Sequence, residues 1–384
     1  MAKDDTLAKN NNIVYIVNSL NLGGTENLVV QMSRAFQAEY TVTVICLDEP
    51  GLWAQKLRDE GIAVYCFWRQ PGIDLAMAGK IARFCKKHTI GLIHAHQCTP
   101  WFYAALSRVL YPSPRLLFEE HGRHYPERYS WKKYIINRWF IEKMTTKIVA
   151  VSADVRGRLV QYEGLSANRI DVVYNGVSPP PPIDKDRREV LRRQLGLQPE
   201  DFVIGTVGRL DAIKNIPLLL KALAEIHHKN TSVNGSLKGL LVGDGPEREE
   251  LQRITASLNI EKNIVFAGYR TDATDLLQCM DLFVLCSFSE GTSMALLEAM
   301  AAGIPAIVTD VGGNPELITN NANGWVIPTD SPADLIRAIH EALENKELTA
   351  NMVKNGQQRF HNSFTFDHML QNYGRYYQEL IRQP

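Results

Sequence analysis

The sequence predicts an α/β protein made of two Rossmann-like domains, each a doubly wound parallel sheet. Short apolar runs of strand length alternate with amphipathic segments of helical length, which is the pattern of βαβ units. The alternation stops at four successive prolines, 179–182, and then starts again. A length of 384 residues also favours two domains. Because such sheets bind ligands at the carboxyl ends of their strands, we expect the two domains to face a cleft that holds the site.

The proline run sets the predicted domain boundary, because four prolines cannot join a helix or a central strand. We predict a mobile N-terminus at 1–12, a first domain at 13–178, a proline-rich linker at 179–186, a second domain at 187–362 and a final helix at 363–384. The predicted strands are Ile13–Val17, Thr41–Leu47, Ala63–Phe67, Leu92–Ala95, Leu116–Glu119, Lys147–Val151 and Ile170–Tyr174, then Phe202–Val207, Gly239–Val242, Ile264–Ala267, Leu282–Leu285, Ala306–Thr309 and Trp325–Ile327.

Composition narrows the function class. The chain is 45% hydrophobic and 22% charged, as a globular protein with a sizeable core should be. Lys plus Arg and Asp plus Glu both number 42, and this balance argues against a nucleic-acid partner. The sequence shows no secretory signal, no apolar stretch of membrane-spanning length and no C-x-x-C pair among its six cysteines. We therefore expect a cytoplasmic protein with reduced cysteines.

The most informative segment runs from Ser289 to Glu316. Glu290 ends a passage from strand to loop, Thr292 or Ser293 can cap the helix that follows, and Glu298 lies on the second turn of that helix. Free N–H groups at a helix start bind phosphate well. Glu298 stands among apolar neighbours, where a carboxylate is costly without a partner. The pattern indicates a diphosphate site flanked by two carboxylates that bind hydroxyl groups.

A basic pair follows the first strand of the second domain. Arg209, after Gly208, and Lys214 lie at the carboxyl end of that strand, where they can neutralise a diphosphate. Glycine turns follow two other strands, at Gly23-Gly24 and at Gly243-Asp244-Gly245. They allow close approach to a ligand but do not form a dinucleotide fingerprint.

The histidines favour structure over metal binding. His94 and His96 point to one face of a strand end, but no third ligand with metal-site spacing follows, so we interpret both as structural and expect no metal site. His121 begins a loop at the end of a strand, where active-site residues often lie. The acidic pair in Asp184-Lys185-Asp186 follows the prolines and is interpreted as solvated linker.

Segment 124–147 mixes aromatic and basic residues on one amphipathic stretch. This composition suits a membrane surface or an acceptor with a lipid carrier. The alternative is a helix with aromatic core residues and a solvated basic face.

Taken together in their chain order, these motifs resemble family 4 of the retaining glycosyltransferases, which have the GT-B fold. The resemblance covers nearly the whole chain, and its most specific element is the E-x7-E motif from Glu290 to Glu298. A mild departure is Thr25, where the family often has Ala. The other matching motifs are Gly23-Gly24-Thr25-Glu26, His121-Gly122, Asn175-Gly176-Val177, Gly208-Arg209-Leu210 with Lys214-Asn215, Gly243-Asp244-Gly245-Pro246 and Gly312-Gly313-Asn314-Pro315-Glu316.

The resemblance implies roles for the matching residues. Arg209 and Lys214 would bind the donor diphosphate and stabilise the leaving group, Glu290 would hold hydroxyls of the donor sugar, His121 would contact that sugar, and Glu298 would bind the ribose. Backbone at the remaining donor-binding positions would lie against the donor. These positions are Gly24, Gly208, Gly243, Gly291, Thr292, Ser293, Met294, Ala295 and Leu296.

The implied activity is transfer of a hexosyl group, with retention and without a metal or other cofactor. The donor would be a nucleotide sugar, with uridine diphosphate the expected carrier, and the acceptor a glycan or lipid-linked glycan of bacterial cell-surface polysaccharide assembly. Such an enzyme would work in the cytoplasm, at the inner face of the membrane where 124–147 contacts it. Two alternatives stay open: a nucleotide-sugar 2-epimerase of the same fold, and a non-catalytic scaffold subunit.

Overall fold

The computed structural model describes residues 11–21, 23–122, 129–229 and 236–382. The chain forms two compact units, one comprising Met1–Tyr174 together with Met369–Pro384 and the other comprising Asn175–His368. The first unit thus ends at Tyr174, ahead of the predicted boundary at 178, and the chain rejoins it at Met369, later than the predicted 363.

The first unit is built on a seven-stranded sheet. Its strands are β1 (Asn12–Val17), β2 (Thr41–Cys46), β3 (Ala63–Cys66), β4 (Leu92–His96), β5 (Arg115–Glu120), β6 (Lys147–Ala150) and β7 (Ile170–Val172). They are all parallel, in the order β3-β2-β1-β4-β5-β6-β7. The order reverses direction between β1 and β4, which makes this pair the topological switch point of a doubly wound sheet.

Helices cover this sheet. They are α1 (Gly24–Phe36), α2 (Trp53–Asp59), α3 (Leu75–Lys87), α4 (Cys98–Leu110), α5 (Trp131–Ile136), α6 (Glu142–Met144) and α7 (Ala153–Glu163), with a π-helical turn at Asn137–Ile141 between α5 and α6. The strands are buried nearly end to end, as strands covered by helices must be. Apolar side chains of strands and helices, such as Ile16, Ile93, Trp101 and Phe118, form one core.

The second unit repeats this architecture with six strands. They are β8 (Phe202–Val207), β9 (Leu237–Val242), β10 (Ile264–Gly268), β11 (Leu282–Leu285), β12 (Ala306–Thr309) and β13 (Trp325–Ile327). Again all pairs are parallel, in the order β10-β9-β8-β11-β12-β13, with the switch point between β8 and β11. The predicted fold class, two doubly wound parallel-sheet domains, is confirmed.

The helices that begin in the second unit are α8 (Lys185–Gln194), α9 (Ile216–His228), α10 (Arg248–Ser257), α11 (Ala273–Leu277), α12 (Met294–Ala302), α13 (Asn314–Leu317), α14 (Pro332–Glu344), α15 (Lys346–Ser363) and α16 (Phe366–Arg382). Helix α8 begins inside the segment predicted as linker. Asp184 is its N-cap and accepts a hydrogen bond from the Arg187 N–H at 2.7 Å. The acidic string at 184–186 is therefore a helix start and not solvated linker, because the capping carboxylate satisfies an N–H that the first turn leaves without a partner.

From Met369 onward, helix α16 belongs to the first unit. Its buried side chains Met369, Tyr373, Tyr377 and Leu380 follow the spacing of one helical face. The Tyr377 hydroxyl lies 3.1 Å from that of Tyr15 on β1. The helix thereby brings two tyrosines onto the sheet of the first unit beside its switch point.

Candidate functional site

The predicted diphosphate-binding segments follow two neighbouring strands of the second sheet. Strands β8 and β11 pair in parallel at the switch point, and the segments 208–215 and 286–293 come directly after them. Doubly wound sheets bind their ligands on the carboxyl side of such a point. The structure therefore brings the two predicted segments together where this fold class binds ligands.

Lys214 and Glu290 are in direct contact within these segments. The Lys214 Nζ lies 2.7 Å from the Glu290 Oε1, and the Ser287 hydroxyl donates to the same oxygen. The two loops are also joined through their backbones, since the Phe288 N–H donates to the Ile213 carbonyl at 2.8 Å. The Glu290 side chain is nearly buried, and Lys214 is about one quarter exposed, at 26%. Two predicted catalytic residues thus form one ion pair that a ligand can reach.

Arg209 makes a different contact. Its side chain is 68% exposed, and its Nε lies 3.6 Å from the Asp211 carboxylate. Asp211 also caps the short 3-10 turn Ala212–Lys214. A surface ion pair of this length contributes little, so the guanidinium can move onto an anion at small cost.

Two glycines near this site are required by close backbone approach. A Cβ on Gly243, whose φ is +136°, would lie 1.9 Å from the Gly208 carbonyl oxygen. A Cβ on Gly312, whose φ is +54°, would lie 1.9 Å from the Glu290 carbonyl oxygen. Both positions combine a left-handed backbone with a hard contact, so only glycine fits. Glycine at 243 thus allows the loop after β9 to pass close to Gly208, and glycine at 312 allows the chain to pass close to the backbone of Glu290.

Helix α12 begins beside Glu290. Ser293 is its N-cap, and the Ser293 hydroxyl accepts from the Leu296 N–H at 3.4 Å. The N–H groups of Met294 and Ala295 have no acceptor within the helix. In the predicted donor-binding stretch 291–296, Leu296 therefore differs from its neighbours, because its N–H serves the cap and its side chain is fully buried.

Asn175 fixes the loop before this helix. Its side-chain amide donates to the Thr292 carbonyl at 3.2 Å, across 117 residues of chain. The Asn175 Oδ1 is buried and has no hydrogen-bond partner within the described part of the chain. The sequence motif containing Asn175 contributed only to the resemblance, and no local signal indicated this contact.

Glu298 is a half-buried carboxylate on α12. Burial raises its pKa from 4.5 to about 7. Among the described residues it has neither a hydrogen bond nor an ion pair, unlike Glu290. A carboxylate in this state gains stability from any ligand that donates hydrogen bonds to it. This is the chemistry that the predicted ribose contact requires.

The first unit carries a second polar group, at the carboxyl ends of β4 and β5. His94, His96, Glu119 and His121 all lie there, and their side chains are at most 4% exposed. The Glu119 Oε2 lies 3.0 Å from the His94 Nε2, 3.4 Å from the His96 Nδ1 and 3.7 Å from the His121 Nε2. The structural interpretation of His94 and His96 is consistent with this burial. Sequence reasoning missed Glu119, which brings the three imidazoles together.

The histidines of this group also contact each other and a tyrosine of α16. His96 Nδ1 and His121 Nε2 are 2.9 Å apart, and the Tyr377 hydroxyl lies 2.8 Å from the His94 Nδ1. Burial lowers the pKa values of His96 and His121 to about 4, so both are neutral near pH 7. Burial alone would raise the pKa of Glu119, but the histidines hold it well below its usual range. The centre of the group is therefore a carboxylate surrounded by neutral imidazoles.

The ligand atoms of His94, His96 and Glu119 lie within 4.8 Å of one another. Glu119 is thus the third potential ligand that the sequence did not offer after His94 and His96. The expectation of an enzyme without a metal stays a prediction. So does the predicted donor contact of Gly24, which is the exposed first residue of α1.

Segment 124–147 falls partly outside the described residues, which resume at 129. Helix α5 buries none of its side chains. Within 129–144 the exposed charged side chains are all basic, and the sole carboxylate, Glu142, is buried. Six large apolar side chains of this stretch are also exposed: Tyr129, Trp131, Ile135, Ile136, Trp139 and Phe140. In the described chain no helix is long and apolar enough to span a bilayer.

Comparison with protein families identifies both units. The model for Glycosyltransferase Family 4 matches residues 22–179, and the model for Glycosyl transferases group 1 matches residues 187–359. The chain belongs to glycosyltransferase family 4. The resemblance drawn from the sequence motifs is thereby confirmed, and the chain is a glycosyltransferase.

Two curated relatives of this family 4 chain are bacterial enzymes. The chain is 26% identical, over 83% of its length and 82% of the relative's, to N-acetyl-alpha-D-glucosaminyl L-malate synthase of Bacillus anthracis. It is also 26% identical, over 76% of both chains, to UDP-Gal:alpha-D-GlcNAc-diphosphoundecaprenol alpha-1,3-galactosyltransferase of Escherichia coli.

Solved structures agree on the fold. A glycosyltransferase from Rickettsia africae superimposes with a TM-score of 0.85 at 19% identity, covering 98% of this chain and all of the other. Anabaena Alr3699/HepE in complex with UDP superimposes with a TM-score of 0.84 at 23% identity, covering 96% of this chain and all of the other. The family 4 chain therefore has the GT-B fold.

Proposed function

We propose that the chain is a retaining, metal-independent hexosyltransferase that uses a UDP-sugar. The observation that carries the proposal is the Lys214–Glu290 ion pair at the switch point of the second sheet, beside the start of α12. The cation and the helix N-terminus suit a diphosphate, and the unpartnered Glu298 suits the hydroxyls of a ribose. HepE binds UDP, and the Escherichia coli relative is named for a UDP-Gal donor, which favours uridine in this chain too.

In the proposed reaction the bond between the anomeric carbon and the diphosphate oxygen breaks, and the acceptor hydroxyl forms its bond on the same face. Lys214, with Arg209 moved onto the phosphates, stabilises the negative charge of the leaving group. The departing diphosphate takes up the proton that the hydroxyl loses. Glu290 binds hydroxyls of the transferred sugar through the oxygen that Ser287 and Lys214 leave free. For His121 we propose, from the family resemblance alone, a hydrogen bond to a sugar hydroxyl.

The first experiment is a thermal-shift panel of nucleotide sugars and nucleoside diphosphates with and without EDTA. A ligand that binds only the folded protein raises its midpoint. We expect a selective shift with one UDP-sugar that EDTA does not abolish. A shift that requires a divalent cation would contradict metal independence, and no shift with any donor would favour the scaffold alternative. NMR of the donor incubated alone would reveal a 2-epimerase, and the anomeric configuration of the transfer product tests retention.

We further propose that the acceptor is a glycan on a lipid carrier, met at the inner face of the membrane in the cytoplasm, and that the protein docks there through 129–144. This stretch carries the aromatic and basic side chains that bind the interface of an anionic bilayer. The Lys132 Nζ lies 5.8 Å from the centre of the Trp131 ring, and the Lys143 Nζ lies 5.6 Å from that of Trp139. A monomeric soluble protein seldom leaves so many neighbouring aromatic side chains exposed.

Vesicle flotation tests this docking. We expect binding to phosphatidylcholine vesicles only when phosphatidylglycerol is added, and the double change Lys132→Ser, Lys143→Ser should weaken it roughly 30-fold, at about 1 kcal/mol per basic residue. The control is Lys86→Ser, Lys87→Ser, which removes two exposed lysines outside 129–144. Equal binding to neutral vesicles, or an equal loss in the control, would contradict the proposal.

A further inference from the structure

The buried group around Glu119 determines which nitrogen of His121 carries its proton. A carboxylate only accepts hydrogen bonds, whereas a neutral imidazole donates from one nitrogen and accepts at the other. The nitrogen nearest to Glu119 is the His94 Nε2, 3.0 Å from Oε2. The two atoms do not meet hydrogen-bond geometry, but a bare nitrogen at this distance would direct its lone pair at the buried carboxylate. His94 is therefore protonated at Nε2, which leaves its Nδ1 to accept the hydrogen bond of the Tyr377 hydroxyl at 2.8 Å.

The position of the proton on His96 determines which nitrogen of His121 is protonated. Its Nδ1 faces two atoms at once, the Glu119 Oε2 at 3.4 Å and the His121 Nε2 at 2.9 Å. One of these two nitrogens must be bare, and the His121 Nε2 is the farther from the Glu119 Oε2, at 3.7 Å. A lone pair directed at a buried carboxylate is least unfavourable on the more distant nitrogen. His96 therefore carries its proton on Nδ1 and donates it to the His121 Nε2. Because the His121 Nε2 accepts, the proton of His121 is on Nδ1.

We propose that Glu119, acting through His96, is a positioning residue that holds His121 in its Nδ1–H tautomer, so that His121 presents an N–H donor to a hydroxyl of the transferred sugar. This inference rests on the proposed function for the sugar contact, but the tautomer itself does not. The His121 Nδ1 is buried and has no hydrogen-bond partner among the described residues, and the same holds for the His96 Nε2, which this assignment leaves without a proton. The rings of His96 and His121 stack at 5.2 Å between centroids, which fixes the orientation of the imidazole.

The tautomer is measured on the protein alone by long-range 1H–15N NMR with 15N-labelled histidine, the His121 signals being assigned by their loss in His121→Asn. We expect His121 as Nδ1–H in the native protein. In Glu119→Gln the new amide NH2 can donate to the His96 Nδ1, which lets His121 carry its proton on Nε2, so we expect the signals to shift toward that tautomer. An Nε2–H tautomer in the native protein, or no change in Glu119→Gln, would overturn the proposal. So would a stoichiometric metal in the purified protein, which would occupy the imidazole nitrogens.

Two substitutions of His121 test the position of its N–H donor by the rate of UDP release. The amide nitrogen of Asn falls near Nδ1 of a histidine, and that of Gln falls near Nε2. We expect His121→Asn to release UDP from the donor selected by the thermal-shift panel about tenfold faster than His121→Gln, the value of one hydrogen bond to a sugar hydroxyl. Glu119→Gln should lower kcat/KM for that donor about tenfold and leave the Kd of UDP, which has no sugar, unchanged.

The matched control is Glu163→Gln. Glu163 is a fully buried glutamate of the same unit, bonded to Lys133 and Asn137 and not to the histidines. It should lower the midpoint of unfolding without changing the His121 tautomer. NMR could give the Nδ1–H tautomer while the two His121 variants release UDP equally. That result would contradict the sugar contact of the proposed function, and with it the positioning role of Glu119 for that contact. If the tautomer is wrong while Lys214→Ala still abolishes transfer, only the positioning role fails.

Discussion

Each unit has a carboxylate beside its switch point, but the two carboxylates differ in solvent access and in their partners. Glu290 in the second unit contacts a Lys214 that solvent can reach, whereas Glu119 in the first unit is fully buried among three imidazoles. Glu290 can exchange its partner for a ligand, because its cation is partly solvated already. Glu119 cannot, because a buried carboxylate without its donors is very costly. The fold thus uses one carboxylate to bind and the other to fix its neighbours.

The largest expected effect is a difference in stability between variants of the two carboxylates. Glu119→Ala removes the carboxylate that the buried imidazole N–H groups face and leaves a cavity, so we expect it to lower the free energy of unfolding by about 3–5 kcal/mol. Glu290→Ala removes a partly solvated pair and should cost about 1 kcal/mol or less while abolishing transfer. Thermal and urea unfolding of both variants measures the difference. Equal losses of stability would show that the two carboxylates do not differ in the way proposed.

The next largest effect is on kcat and concerns Lys214, the partner of Glu290. Lys214→Ala removes a cation that stabilises the leaving diphosphate, so kcat should fall about 100- to 1000-fold while the midpoint of unfolding changes little. Steady-state kinetics with the selected donor measures this, and Lys221→Ala, an exposed lysine on α9, is the control. A fall in donor affinity with kcat unchanged would place Lys214 in ground-state binding only.

The same contrast explains what the sequence could predict. Both sheets were predictable because each strand and helix has a local apolar pattern, and the second-unit site was predictable because Arg209, Lys214, Glu290 and Glu298 lie in short motifs after strands. The buried group around Glu119 could not be predicted from the sequence. Its members His94 and Tyr377 are 283 residues apart, and only the return of α16 to the first unit brings them together. No local pattern encodes such a contact.

The limits of the two compact units differ from the predicted boundaries for a related reason. The prolines at 179–182 mark an irregular segment, but the contacts of a unit and not its composition decide where it ends. Asn175 already bonds to Thr292 in the second unit, so that unit begins before the prolines. Asp184, interpreted as linker, instead starts a helix. Capping depends on backbone geometry that the acidic composition of 184–186 did not reveal.

Glu298 lies between the two extremes, and its ionisation gives a smaller, pH-dependent effect. Its folded pKa of about 7 exceeds the ordinary 4.5, so the folded protein without ligand favours the protonated form. The resulting cost to folding is absent below pH 4.5, grows as pH rises toward 7 and is complete above it. Glu298→Gln should therefore raise the midpoint of unfolding relative to the native protein at about pH 8 and change it little at about pH 4.

Nucleotide binding should reverse this preference if the carboxylate accepts hydrogen bonds from the ribose. Those bonds favour the charged form, so UDP binding at about pH 6 should release up to about one proton, and at about pH 8, where Glu298 is already ionised, almost none. Calorimetry in buffers of different ionisation enthalpy counts the protons. Because the terminal phosphate of UDP also titrates at about pH 6, Glu298→Gln should at that pH release up to about one proton fewer than the native protein, and it should bind UDP more weakly. Equal proton release in the two proteins would assign the protons to another group and remove the ribose contact from Glu298. Proton uptake at the lower pH would mean that the bound nucleotide keeps the carboxyl protonated, as a phosphate oxygen beside it would.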